Sequence, residues 1–290
     1  MFSATGVFIS FASGILGAAF GAATSFSLVG FLVLGGVFIQ AASGSGDFLS
    51  TISFGVWGPH VGGFAAGVAA AAYAASKGEI NGEGKDLNNA LMGLNRPDVL
   101  LVGGIFGIGG YLINLLVSMP GHWTDTVGLT VVLSGIASRL LFGSSGLFGQ
   151  VPGHESRFKP KDGLTPLQLA LIGLGAGTFS AYAALEVANG AGIPLCFGLA
   201  AASLLFGQFG LNVPVTHHIV MPAAVAAAAS GSVIWGAIFG VASAILWDII
   251  GNLFNTWGDT HIDPPAFVIF TMTTLSIVFQ NNGVYAMLGI

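Results

Sequence analysis

The sequence predicts an all-α integral membrane protein of about ten transmembrane helices, in two inverted five-helix repeats that each carry a re-entrant or broken half-helix. Three observations predict it. Of 290 residues, 54% are hydrophobic and only 7% charged, where a soluble domain carries about 25% charged residues. Apolar runs recur along the whole chain, most of them close to the ~20 residues a membrane-crossing helix needs. The chain also echoes itself: GGIFGI at 103–108 returns as GAIFGV at 236–241, and Trp123-Thr124-Asp125-Thr126 returns as Trp257-Gly258-Asp259-Thr260, at nearly the same offset.

In order, spans are predicted at 5–25, 27–43, 60–76, 98–118 and 127–143, then at 165–187, 191–206, 215–230, 232–253 and 265–281. The N-terminus lacks the basic region of a signal peptide, so the first run is read as a retained helix. Gly and Ala dominate many runs, which favours close helix packing in lipid and predicts a homo-oligomer. A single cysteine, Cys196, excludes a disulfide framework. There is no basic patch, and nucleic acid is not an expected partner. No metal or cofactor is expected either. The expected partners are the lipid bilayer, a small solute or ion, and other copies of the chain.

The seven basic residues are Lys77, Lys85, Arg96, Arg139, Arg157, Lys159 and Lys161. Six lie in the polar stretches 77–98 and 144–163, which two predicted spans separate. The positive-inside rule puts both stretches in the cytoplasm, with the cytoplasmic (inner) membrane as the multi-pass location. Residues 1–143 then form the first repeat, 144–164 a cytoplasmic linker and 165–290 the second repeat. An odd number of spans per repeat makes the two inverted, as in many transporters.

Two segments look too short and too interrupted to span. Residues 44–60 read GSGDFLSTISFGVWGPH, with glycines before and Gly58-Pro59 near the end. Asp47 is the only charge before residue 77, and Asp47, Ser50 and Thr51 share one face if helical. Residues 207–218 read GQFGLNVPVTHH and offer Gln208, Asn212, His217 and His218. Non-helical backbone at membrane depth is tolerated where protein buries it or it lines a cavity. The two segments are therefore expected to face each other at the midplane as a solute site; the competing reading makes both surface loops. Asn114 and Asp248, at similar places in the two repeats, are further candidates, because polar groups inside spans are costly. Asp125, Asp259, His261 and Asp263 lie where helices start, and capping at a solvated rim is their default role.

The stretches FGVWGPHVGGFAAGVAAAAYAASKG, RPDVLLVGGIFGIGGYLIN and TDTVGLTVVLSGIASRLLFG resemble an uncharacterised bacterial multi-pass permease-like family. They cover most of the first half. No activity is known for that family, so the resemblance implies no substrate. The overall plan is similar to that of urea and ammonium channels, with inverted five-helix halves, but the urea-channel motifs are absent and no site residue follows from the likeness.

No metalloprotease, serine-hydrolase, nucleotide-binding or CxxC signature occurs, and an enzyme is not the expectation. The expected function is a transporter or channel for a small polar solute or ion, with proton or cation coupling left open. A membrane enzyme acting on a lipid-borne substrate and a structural subunit of a membrane complex stand as alternatives.

Overall fold

A computed structural model describes residues 2–80, 84–158 and 163–288. Lys159, Lys161 and Asp162 of the polar linker lie outside the described residues. Among the described residues the structure is all-helical, with one isolated parallel bridge between Gly84 and Thr260 and no strand.

The helices are α1 (Ala4–Phe20), α2 (Ala22–Ser43), α3 (Ala65–Ser76), α4 (Pro97–Val117), α5 (Thr126–Phe142), α6 (Pro166–Glu186), α7 (Gly192–Gln208), α8 (His217–Ser230), α9 (Val233–Ile250), α10 (Pro264–Asn281) and the short α11 (Val284–Leu288). A helix stands at each of the ten expected places. Four are long and apolar enough to cross a membrane: Ala22–Ser43, Pro97–Val117, Pro166–Glu186 and Val233–Asn255, the last including a π-helical turn at Gly251–Asn255.

Local chemistry accounts for the boundaries. Pro97, Pro166 and Pro264 open α4, α6 and α10, where their missing N–H costs nothing. Ser3, Asp125, Thr165, Ser232 and Asp263 each accept a backbone N–H at a helix start, worth about 1 kcal/mol apiece. Gly21, at φ +84, ends α1 at Phe20 and begins α2; that break shortens the span expected at 5–25.

Burial runs opposite to a water-soluble helix protein. In α4 the buried residues include Gly103, Gly104, Gly107 and Gly110, while Leu101, Ile105, Leu112 and Leu116 are exposed. In α9, Gly236, Gly240, Ser243 and Ala244 are buried, and Ile234, Ile238, Ile245 and Ile249 face outward. Small residues inside and bulky apolar ones outside suit a lipid solvent, where close backbone approach drives association. The echoed motif makes that approach. A methyl added at Gly103 would strike Ala18 and the Gly14 carbonyl of α1, and one at Gly240 would strike the Gly173 carbonyl and Gly177 of α6. Much of the glycine content is thus used within the chain.

The helix contacts recur in both halves. α1 packs on α4 as α6 packs on α9, α3 meets α4 and α5, and α8 meets α9 and α10. Between the halves, α2 lies along α7 and α5 along α10.

The polar stretches gather where α9 ends. Arg157 donates to the carbonyls of Asn252 and Leu253, Arg139 to that of Phe254 and Lys85 to that of Thr256. Three cations thus meet carbonyls that lack helical partners, at the negative end of the α9 dipole. Arg139 is 1% exposed and also donates to the hydroxyl and carbonyl of Thr260 and the carbonyls of Gly146 and Leu147.

Candidate functional site

The two segments expected to dip towards each other fold differently from one another. Residues Leu49–Val56 form a π-helix, broken at Gly55, and turns carry the chain to α3. Its buried residues are Leu49 and Ser53, with Leu49 seated on Gly36 of α2. Residues 211–216 are irregular and lead into α8 at His217.

The nine expected residues take these places in the fold. Asp47, Ser50 and Thr51 are exposed, because the segment turns its apolar Leu49 inward and leaves the polar trio outside. Ser50 donates to the Asp47 carbonyl, a local turn contact. Gln208 is half-buried, accepts from Thr24 and donates to Ser27, tying α7 to α2. Asn212 is exposed. Asn114 accepts from Thr130 of α5, and Asp248 accepts from Asn252 one turn on. The fully buried His218 stacks on Trp247 at 5.1 Å, and both its ring nitrogens lack partners. Of the nine expected residues only His217 lines the main cavity.

That cavity, of about 420 Å³, lies between the two halves, within the size range of small-molecule sites. The first half supplies Phe26, Phe54, Phe64, Asp125 and Gly128; the second supplies Phe197, His217, Trp247, Asn255, His261 and Asp263. The starts of α5, α8 and α10 all reach it, with Phe64 just before α3. At α5 and α10 an aspartate caps the free N–H groups: Asp125 accepts from Gly128 at 2.6 Å, and Asp263 from Ala266 at 2.7 Å. The other oxygen of Asp263 meets His261 Nε2 at 2.9 Å. No side chain caps α8. His217, its first residue, is 6% exposed, packs on Phe26 at 4.7 Å and on Phe197 at 6.1 Å, and keeps Nδ1 without a partner. Burying an unbonded polar group costs about 1–3 kcal/mol, a cost Nδ1 carries against these rings.

Asp125, Asn255, His261 and Asp263 were not among the expected site residues. For Asp125 the signal was present in the repeated Trp-x-Asp-Thr stretch, but the motif register pairs it with Asp259. In the fold the cap of α10 is Asp263, and Asp259 instead accepts from Ser144 and Ser145 of the linker. Burial opposes the charge of Asp259, but the Ser145 hydroxyl and the Ser144 N–H and hydroxyl outweigh it and bring its pKa down to about 2. Among the described residues no cluster of metal-ligating side chains forms.

The model of a family of unknown function, DUF7973, matches the chain over residues 1–162 and 160–289. No curated protein and no solved structure matches it.

Proposed function

The chain belongs to this DUF7973 family of unknown function, and from its geometry we propose that it is a multi-pass membrane transporter or channel for a small polar solute or ion. The observation that carries this reading is the cavity built from both halves, which the starts of α5, α8 and α10 reach. Broken helices that begin beside a cavity between two repeats are a recurring design in secondary transporters.

The proposal includes ten spans in two inverted repeats, placed in the cytoplasmic membrane and related to permease-like proteins. The recurring helix contacts support it, as do two adjoining family matches that meet in the polar linker. Lys85 and Arg157, from the two basic stretches, reach the same end of α9, which supports a shared cytoplasmic face. Gly35, Gly109 and Gly175 have open space where a side chain would stand, and these small outward positions are where a homo-oligomer contact is proposed.

The test is flux. Proteoliposomes are followed by stopped-flow light scattering with alkylammonium salts, urea and glycerol. Leu204→Trp, which enlarges a lining side chain, is expected to cut the protein-dependent flux at least about tenfold while the protein stays folded. Rates equal to those of empty liposomes for every solute, or flux untouched by the variant, would remove this reading.

A further inference from the structure

We infer that the cavity selects a small organic ammonium ion, a protonated amine with a compact apolar body. This deepens the transport reading and rests on it for purpose, but its chemistry stands separately. Four phenylalanine rings form a continuous wall: Phe54 against Phe197 at 5.5 Å, Phe197 against Phe26 at 6.0 Å and Phe26 against Phe64 at 5.5 Å. Ring faces attract cations through their quadrupole, the more so away from water.

The same cavity holds the carboxylates of Asp125 and Asp263, and among the described residues no lysine or arginine lines it. Each aspartate caps a helix, which offsets part of its charge. Asp263 also has His261, whereas no ion pair forms at Asp125 among the described residues. An anion entering this space would meet two carboxylates, and a neutral solute would leave Asp125 without a counter-charge. An ammonium ion satisfies both aspartates and lays its apolar body on the rings.

The experiment is calorimetric titration of the full chain in lipid nanodiscs with isobutylammonium, isobutanol and isobutyrate, which share a shape and differ in head-group charge. Isobutylammonium is expected to bind at least about tenfold more tightly than isobutanol, with isobutyrate the weakest. Asn caps a helix about as well as Asp, so Asp125→Asn and Asp263→Asn remove charge and keep the fold. Each is expected to weaken isobutylammonium at least about fivefold and to leave isobutanol unchanged. No detectable isobutylammonium binding, equal affinity for the three probes, a preference for isobutyrate, or folded Asn variants that bind as the parent does would each overturn the inference. Selective ammonium binding without flux would remove the transport reading and leave this one standing. Flux of urea or glycerol without ammonium preference would do the reverse.

Discussion

Arg139 and His217 are both buried, at 1% and 6% exposure, yet they are bonded in opposite ways. Arg139 sends its guanidinium into the hydroxyl of Thr260 and four backbone carbonyls, with Asp259 3.9 Å away. His217 lies against phenylalanine rings and leaves a nitrogen unbonded. The first belongs to the architecture: it joins α5, the linker and the end of α9, and its planar fork fits a job that a lysine could not do. The second lies in the wall of the cavity, packed on rings rather than tied to neighbouring elements through Nδ1. Neither burial nor hydrogen-bond completeness alone separates structural from functional polarity here, since His218 is buried with both ring nitrogens unbonded and lies outside the cavity; position in the cavity wall is what sets His217 apart.

The largest expected effect breaks or upholds that contrast. Arg139→Met strips partners from buried carbonyls and leaves Asp259 without its nearest cation, at a cost of about 3–5 kcal/mol. His217→Phe, of similar size in an aromatic setting, is expected to change stability by less than about 1 kcal/mol and to lower flux at least about tenfold. Denaturation in mild detergent measures the first quantity and proteoliposome flux the second. Equal stability losses in the two variants would erase the distinction.

A smaller effect sharpens the architectural side. Asp259 ties the approach to α10 to Ser144 and Ser145, and its pKa is lowered from the ordinary 3.8 to about 2. A carboxylate so depressed stabilises the folded state above its ordinary value and loses that contribution as pH falls towards about 2. Wild-type protein is expected to lose stability between pH 4 and pH 2 by more than Asp259→Asn does. Parallel pH profiles for the two would mean that the tether is not electrostatic.

Much of this was legible in the sequence. Apolar runs located ten of the eleven helices described, because an apolar run has few side chains to bond its backbone and a helix satisfies that backbone internally. The repeated IFG motif was informative because Gly107 and Gly240 are points of close approach, where another side chain would clash with the neighbouring helix. The site was mostly not legible. Whether a helix cap faces water or a cavity depends on what packs opposite it, and Asp125 and Asp263 face Phe26 and Phe64 only through tertiary structure. The motif register also misled. Residues 257–263 carry Asp259 out to the linker before Asp263 caps α10, so local similarity paired residues that the fold separates.

The smallest expected effect falls on the residue that the sequence made most prominent. Asp47 attracted notice as a lone charge in a long apolar region beside glycines and hydroxyls, and helical spacing put Ser50 and Thr51 on its face. A π-helix does not keep that spacing, since its hydrogen bonds reach five residues back. In this segment Leu49 and Ser53 turn inward, and Asp47 is exposed. An exposed carboxylate outside the cavity has neither a desolvated counter-charge to supply nor a buried partner to lose. Asp47→Asn is therefore expected to leave stability within about 0.5 kcal/mol of the parent and flux unchanged, whereas Asp125→Asn should lower flux with its helix cap intact. A reversal of that order, with Asp47→Asn impaired and Asp125→Asn active, would move the site out of the aromatic cavity and back to the π-helix.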